Sequence, residues 1–357
     1  MTGTPLAAKL TRLIRANGPI TVADYMAICL GDPAHGYYAT RDPLGAAGDF
    51  TTAPEISQLF GEIVGAWLAH TWRLAGAPAA VRLVELGPGR GTLTADILRV
   101  FARVPGLAAA PVHLVETSPV LGARQRETLS GHAGRIAWHD RLEAVPEGPT
   151  LLVANEFFDA LPIRQFVRER EAWRERMVGL DEAGRLAFGI GPGTIETPLA
   201  APDGAILEFS PAATAVMQAV AERIARHGSA ALVVDYGHAA TAPGDTLQAV
   251  RSHAYADPLD APGDADLTAH VDFQALAAAA QAGGAAFHGP VTQGRFLLDL
   301  GLLERAGQLG AAQDEAAREA IRAAVERLAG ADAMGELFKV MAVTPHGVAP
   351  PPFGQPI

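Results

Sequence analysis

Cysteine is nearly absent from this chain of 357 residues, in which Cys29 is the single one. One cysteine cannot form an internal disulfide, and it cannot supply the several thiolates of a structural metal site. Its apolar neighbours instead predict a small buried side chain. The histidines also lack the His-x-x-x-His and acid–histidine spacings typical of metal sites, so we expect no bound metal.

Long hydrophobic runs are missing as well. Although 49% of the residues are hydrophobic, no uninterrupted apolar stretch approaches the roughly 18 residues that a membrane-spanning helix needs. The first twenty residues place Lys9, Arg12 and Arg15 among leucines at helical spacing, and they lack the continuous apolar region of a secretory signal. These patterns predict a globular protein without a membrane span, located in the cytoplasm.

Basic residues are outnumbered by acidic ones. The chain has 28 Lys and Arg against 39 Asp and Glu, a formal net charge of −11. Nucleic-acid binding depends largely on clustered basic side chains, so this balance argues against a nucleic-acid partner. An acidic protein attracts cationic substrates by its long-range field.

From residue 81 onward, apolar runs alternate with helical patterns, which predicts parallel strands joined by crossover helices. The predicted strands lie near 81–86, 112–116, 136–138, 151–154 and 230–235, and the predicted helices near 92–103, 119–130 and 211–227. Period-two segments between 163 and 190 predict an inserted β-hairpin, and 238–270 a long loop. The remainder is alanine-rich and predicted helical until a closing strand at 337–343.

These elements predict an α/β fold in three parts. An N-terminal helical cap with a lid loop occupies 1–78, and a domain built on a Rossmann-like sheet occupies 79–345. That domain carries insertions at about 163–210 and 238–335, and a flexible tail follows at 346–357.

The segment Glu85-Leu86-Gly87-Pro88-Gly89-Arg90-Gly91 converts an apolar run into a glycine loop. Glycine allows sharp turns and close approach of the backbone to a ligand, and the following helix offers unpaired N–H groups. Thr92 occupies the position where the dinucleotide fingerprint has its third glycine, and no lysine completes a phosphate-binding loop. The spacing resembles motif I of the Rossmann-like S-adenosylmethionine methyltransferases. It therefore predicts cofactor contacts from Glu85, Gly87, Pro88, Gly89 and Gly91.

Two further acidic residues follow predicted strands. Glu116 ends the second strand, where such folds bind ribose hydroxyls, and Asp140 follows the third, where a polar group can meet the adenine edge. For Glu116 the alternative is an ordinary exposed acid at a strand end, and for Asp140 it is one of the polar residues that short loops commonly contain.

The fourth strand ends in Asn155-Glu156-Phe157-Phe158-Asp159. Asn155 with an aromatic residue at +3 resembles the loop of amino-methylating enzymes in which carbonyl oxygens bind an N–H group of the acceptor. The carboxylates of Glu156 and Asp159 suit a guanidinium, whose planar donors pair bidentately with acids. We therefore predict catalytic roles for Asn155, Glu156 and Asp159, and an additional cofactor contact from Asn155. A helix-capping Asp159 and a solvated Glu156 are the alternative.

Aromatic and polar residues elsewhere complete the expected site. The loop before the first strand is predicted to form a lid over the cofactor. Asp235-Tyr236-Gly237 could line the acceptor pocket. The predicted lid and pocket residues are Tyr37, Tyr38, Asp49, Phe50, Thr51, Phe157, Phe158 and His270.

Several long motifs together resemble the MidA family. They are Gly36-Tyr37-Tyr38, the segment 48–58, the glycine loop, 155–162, Asp235-Tyr236-Gly237 and 266–273. The resemblance covers roughly residues 5 to 343. It implies an S-adenosylmethionine-dependent protein arginine methyltransferase that forms symmetric ω-N-dimethylarginine. In the mitochondrial members the substrate is a core subunit of respiratory complex I, and extension to a bacterial complex I subunit is an extrapolation.

Two alternatives stay open from the sequence. One is an amino methyltransferase that acts on a small molecule or nucleic acid through the same Asn155 loop. The other is a non-catalytic assembly factor that binds a partner protein and keeps the cofactor site as a relic. The acidic net charge disfavours nucleic acid, and the intact glycines disfavour a relic.

Overall fold

The computed structural model describes residues 3–42, 45 and 51–353. The helices are α1 (Pro5–Asn17), α2 (Val22–Gly31), α3 (Tyr37–Thr40), α4 (Ala53–Ile56), α5 (Gln58–Leu74), α6 (Thr92–Phe101), α7 (Pro119–Thr128), α8 (Pro211–His227), α9 (Phe273–Ala282), α10 (Gln293–Asp299), α11 (Leu302–Gly310) and α12 (Glu315–Ala329). The strands are β1 (Ile20–Thr21), β2 (Arg82–Leu86), β3 (Val112–Val115), β4 (Ile136–His139), β5 (Thr150–Asn155), β6 (Arg164–Glu169), β7 (Ala172–Leu180), β8 (Leu186–Ile195), β9 (Ile206–Phe209), β10 (Ser229–His238), β11 (Gln248–Arg251), β12 (Ala254–Ala256), β13 (Asp266–Thr268), β14 (Val271–Asp272), β15 (Ala286–Thr292) and β16 (Phe338–Thr344).

The main sheet has the order β15-β16-β10-β5-β2-β3-β4, with β14 added beside the end of β10. Strands β10, β5, β2, β3 and β4 are parallel, whereas β16 is antiparallel to both neighbours. The five strands and three helices predicted along this part of the chain are confirmed. The α/β fold class is therefore confirmed.

Helices cover both faces of the main sheet, as a buried parallel sheet requires. In β5, Leu151 and Val153 pack with α5 and α6 on one face, while Leu152 and Ala154 pack with α8 and α9 on the other. Strand β5 is buried along its whole length. Packing on both faces therefore fixes the position of its carboxyl end.

The N-terminal helices pack on the insertion rather than on the main sheet. Helices α1 and α2 bury their apolar faces against β7 and the segment around β13. Helix α2 begins with a capping box between Thr21 and Asp24. Two helices follow Pro54, because Ser57 caps α5 after the single turn of α4.

The insertions contain more strands than the sequence indicated. The predicted hairpin is β7–β8, and β1, β6 and β9 extend it to a five-stranded antiparallel sheet. The segment 238–270 carries the small sheet β12-β11-β13. Strand β15 lies within the stretch predicted as helical, and its Gly289-Pro290 step with a register shift obscures the strand pattern.

The segment after β16 differs from the flexible tail that the sequence predicted. The Phe353 ring packs 6.2 Å from Trp67 and 5.9 Å from Phe296, measured between ring centroids. The Trp67 indole N–H donates to the carbonyl oxygen of Pro351 at 2.6 Å. The segment up to Phe353 therefore covers α5, and residues 354–357 lie outside the described residues.

Candidate active site

A cavity of about 360 Å³ opens at the carboxyl ends of β2, β3 and β5, the edge where open α/β sheets bind their ligands. The glycine loop, Glu116 and the turn after β5 supply its floor, and α2, α3 and the segment 52–55 supply its N-terminal wall. The lining residues are Ala27, Leu30, Gly31, Tyr38, Ala39, Thr52, Pro54, Glu55, Glu85, Gly87, Pro88, Gly89, Arg90, Thr92, Leu93, Glu116, Thr117, Ser118, Leu121, Asn155, Glu156, Phe157, Ala160, Leu161 and Pro162.

The glycine loop needs its glycines. Gly87, Gly89 and Gly91 have φ of +62°, +53° and +84°, the left-handed region that other residues avoid. A Cβ atom on Gly87 would lie 2.9 Å from Cδ2 of Phe157. The loop is thus compact, and its backbone forms the cavity floor directly.

Gln125, a buried residue of α7, joins the glycine loop to Glu116. Its amide Nε2 donates to the Gly89 carbonyl at 2.8 Å and to Glu116 Oε2 at 2.9 Å. Trp138 fixes the amide by donating from its indole N–H to Oε1 at 2.9 Å. The other Glu116 oxygen accepts the Ser118 N–H at 2.7 Å. Sequence reasoning missed Gln125, because its position in α7 carries no motif signal.

Glu85 lies at the end of β2 and is 2% exposed. The Thr94 hydroxyl donates to its carboxylate, which ties the strand to the first turn of α6. Burial raises the pKa of Glu85 to about 7, and the hydrogen bond with Thr94 opposes this rise. The residue therefore holds the glycine loop between strand and helix.

The turn after β5 brings Asn155 and Glu156 to the cavity. Glu156 has φ of +50°, a strained conformation for a residue with a side chain. Its Oε1 accepts the Ala53 N–H at 3.0 Å and the Asn155 amide at 3.1 Å. Burial raises the pKa of Glu156 to about 7, and the charge of Asp159 adds to the rise. Among the described residues, no group hydrogen-bonds to Oδ1 of Asn155.

Asp235, at the end of β10, holds this turn from below. Its Oδ2 accepts the backbone N–H groups of Phe157, Phe158 and Asp159 at 3.1, 2.9 and 3.3 Å. The side chain is completely buried, and burial raises its pKa well above the usual range. Asp235 does not line the cavity. The sequence indicated it as a pocket residue, whereas the structure gives it the position of a support for the turn.

Other predicted residues lie behind the cavity. Asp159 hydrogen-bonds with Tyr236, which also contacts the ring of His270. Phe158 and Tyr37 are buried in separate hydrophobic clusters. None of these predicted residues lines the cavity.

The remaining predicted residues lie in or beside the cavity wall, away from the cavity, or outside the described residues. Tyr38 and Phe157 line the cavity, and Thr51 is adjacent to the lining residue Thr52. Asp140 is exposed and faces Arg141 at 3.8 Å, away from the lining residues. Asp49 and Phe50 lie outside the described residues.

Charge in the cavity is negative. Its described lining contains the carboxylates of Glu55, Glu85, Glu116 and Glu156, with Arg90 as the single basic residue. Arg90 is already paired, since it donates to Asp42 at 3.1 Å and lies 3.6 Å from Glu55. Arg90 is close to only one of the four carboxylates, so the described lining has more acidic than basic groups and favours a cationic ligand.

We expect the substitution Gln125→Leu to weaken cofactor affinity about three- to tenfold. Leucine fills similar space but removes both amide hydrogen bonds, so the Gly89 carbonyl and Glu116 lose their shared donor. Calorimetric titration with S-adenosylhomocysteine measures the effect, and Gln218→Leu on an exposed face of α8 is the matched control. Unchanged affinity in Gln125→Leu would show that the bridge has no part in binding.

Within 3–42, 45 and 51–353, no three His, Cys, Asp or Glu side chains form a group that could hold a metal ion. In the same ranges no helix has the length and apolar character to cross a bilayer.

The chain matches known proteins over most of its length. A family model described as "Putative S-adenosyl-L-methionine-dependent methyltransferase" matches residues 63–291. "Protein arginine methyltransferase NDUFAF7, mitochondrial" of Danio rerio is 40% identical, over 94% of this chain and 85% of that protein. The Homo sapiens protein of the same name is 39% identical, over 96% and 84%.

A solved structure is also similar. A protein of Burkholderia thailandensis described as a "likely methyl transferase" and bound to S-adenosyl-homocysteine aligns with a TM-score of 0.85 at 32% identity. The alignment covers 96% of this chain and 92% of that one.

The names of the relatives correct one expectation. They are mitochondrial proteins by name, which contradicts the cytoplasmic location predicted from the N-terminal sequence. That prediction was wrong because it relied on the pattern of the first twenty residues. Within them, Pro5–Asn17 form helix α1 with Leu6, Leu10 and Ile14 buried, so the spacing of the leucines reflects the packing of this helix.

The cavity suits the cofactor of these methyltransferases. A glycine backbone forms one wall, Glu116 offers a carboxylate for hydroxyl groups, and Oδ1 of Asn155 is a buried acceptor without a partner in the described structure. Because the matched region includes every part of the cavity except its N-terminal wall, the chain belongs to this family of S-adenosylmethionine-dependent methyltransferases, and S-adenosylmethionine is its cofactor.

Proposed function

We propose that this protein methylates arginine side chains of another protein. The observation that carries the proposal is the pair of Asn155 Oδ1 and Glu156 in an acidic cavity whose single described arginine is already ion-paired. The names of the curated relatives, which are protein arginine methyltransferases, support the same reaction.

Asn155 and Glu156 suit a guanidinium better than a neutral amine. A guanidinium stays charged at neutral pH and presents several N–H donors in one plane. The carboxylate of Glu156 and the amide oxygen of Asn155 are both acceptors, and they belong to adjacent residues. When bound, S-adenosylmethionine supplies a methyl group on a positively charged sulfur, and the chain's own residues orient the nitrogen that receives it.

Glu156 can also take up the proton that the reaction releases. The acceptor nitrogen forms one N–C bond and must lose one N–H proton, because methylarginine carries the same charge as arginine. A carboxylate with a pKa of about 7 is ionised in roughly half of the molecules at neutral pH and can accept that proton. Ala53 and Asn155 hold the carboxylate in place through its Oε1.

We expect kcat/KM to rise with pH and to level off above about 7. Glu156 has its pKa raised to about 7, so its ionised form is scarce well below that pH and dominant above it. Initial rates between pH 5.5 and 9 with saturating cofactor measure the profile. A rate independent of pH across this range would contradict a role for the Glu156 charge.

Narrower features of the reaction rest on the MidA resemblance. We propose that the product is symmetric ω-N-dimethylarginine and that the acceptor is a core subunit of complex I. We also propose that Asp159, which lies behind the turn, supports Glu156 through its charge rather than by contact with the acceptor. The division into a cap at 1–78, a methyltransferase domain at 79–345 and a short tail remains part of the proposal.

A labelling experiment tests the function. The purified chain is incubated with cofactor carrying a tritiated methyl group and with cell extract, and labelled proteins are hydrolysed and analysed for methylarginines. Symmetric dimethylarginine in a protein supports the proposal. Label that resists protease but not nuclease, or that stays in small molecules, supports the amino methyltransferase alternative. The absence of any transfer, with cofactor affinity intact, supports a non-catalytic assembly factor.

A further inference from the structure

Part of the cavity wall has no role in the cofactor contacts described above. These residues are Ala27, Leu30 and Gly31 of α2 together with Ala160, Leu161 and Pro162 after the turn. The sheet order β10-β5-β2-β3 places the end of β5 on the opposite side of β2 from Glu116. The part of this wall that follows β5 therefore lies on the side of the glycine loop away from the residue expected to bind ribose.

The wall is open to solvent at α2. Ala27 and Gly31 are one helical turn apart, and both are exposed while also lining the cavity. A Cβ atom added to Gly31 would meet no heavy atom within 4 Å among the described residues. The cavity thus has an opening bordered by small residues, with the apolar side chain of Leu30 beside it.

The same cavity is also lined by polar groups. Asn155 is only 8% exposed, and its Oδ1 has no hydrogen-bond partner among the described residues. Glu156 lies next to it in the chain, and its carboxylate accepts the Asn155 amide. A buried acceptor without a donor indicates a ligand that brings an N–H group. Apolar walls leading to such acceptors suit a side chain with an aliphatic stem and a cationic end.

We propose that the six wall residues form an acceptor passage that admits one arginine side chain from a protein and delivers its guanidinium to Asn155 and Glu156. The proposal rests on the proposed function and adds the route by which the acceptor enters. Free arginine is disfavoured, because its α-carboxylate would meet no unpaired cation among the described cavity residues. An arginine within a peptide chain carries no such charge.

Binding of a small arginine analogue tests the passage without methyl transfer. Nα-acetyl-L-arginine N-methylamide is titrated, with NMR detection, into the protein saturated with S-adenosylhomocysteine. We expect saturable binding that weakens at least fivefold in Gly31→Phe and in Ala27→Phe, since each phenylalanine fills the opening. Gly134→Phe is the matched control, because Gly134 is also exposed with no atom near its Cβ position. The citrulline analogue, which has the same shape without the charge, and free arginine should each bind at least fivefold more weakly.

The affinity of the two phenylalanine variants for S-adenosylhomocysteine distinguishes a blocked opening from a damaged fold. S-adenosylhomocysteine should bind both variants within twofold of the wild type, which also shows that they fold. The passage is overturned by wild-type protein that fails to bind the arginine analogue, by variants that bind it unchanged, or by loss of cofactor affinity in both variants. If the analogue binds as expected but no protein acquires methylarginine in the labelling assay, the proposed function fails while the passage stands.

Discussion

Glu156→Gln should lower kcat/KM for the protein acceptor by more than tenfold and leave the affinity for S-adenosylhomocysteine within twofold of the wild type. Glutamine keeps the size of the side chain, and its amide oxygen can still accept the Ala53 N–H. It removes the negative charge that pairs with a guanidinium and the group that takes up the released proton. A tenfold loss corresponds to about 1.4 kcal/mol of transition-state stabilisation.

Glu127→Gln serves as the control, since Glu127 is an exposed residue of α7 whose side chain pairs with Arg124 and does not line the cavity. The Glu156→Gln protein should also lose the rise of kcat/KM with pH around 7, because it lacks the Glu156 carboxylate that titrates there. If Glu156→Gln kept both the wild-type rate and the wild-type pH profile, the assignment of Glu156 to the acceptor would be abandoned.

Gly89→Val should weaken cofactor binding at least a hundredfold, or about 2.7 kcal/mol. Gly89 has φ of +53°, which a β-branched residue adopts only with strain. Relief of the strain would move the Gly89 carbonyl away from Gln125 and so disturb the bridge to Glu116. Calorimetry with S-adenosylhomocysteine measures the loss, and thermal unfolding shows whether the fold persists.

Gly131→Val is the matched control, because Gly131 is exposed, lacks a positive φ, and has no described atom near its Cβ position. Its affinity for the cofactor should equal that of the wild type. Equal affinity in Gly89→Val as well would mean that the loop backbone does not contact the cofactor, which would contradict the assignment of the floor of the cavity.

Residues adjacent in sequence were predictable, and residues brought together by packing were not. Gly87, Gly89 and Gly91 share one loop with a recognisable spacing, and Glu116 follows a strand that the apolar pattern reveals. Gln125 reaches the site only through the packing of α7, and Asp235, which the sequence indicated as a pocket residue, instead supports the turn because β10 packs beside β5. Their effect depends on register, which a single sequence does not display.

The same reason explains the predicted residues that lie behind the cavity. Asp159 and Phe158 were selected because they follow Asn155 closely, yet a tight turn directs successive side chains to different sides. Ala27 and Gly31 of the N-terminal wall, in contrast, were not predicted from the sequence. Neither has a reactive or hydrogen-bonding side chain, and their place at the opening depends on how α2 packs against the insertion.

The support of the turn by Asp235 has a consequence for how the protein is made. Asp235 belongs to β10, and on the side away from β5 that strand pairs along its length with β16, near the end of the chain. During synthesis β10 emerges from the ribosome about a hundred residues before β16, and until then it is a sheet edge with unpaired backbone groups. The turn that carries Asn155 and Glu156 therefore depends, through Asp235, on a strand that remains a sheet edge until β16 has been synthesised.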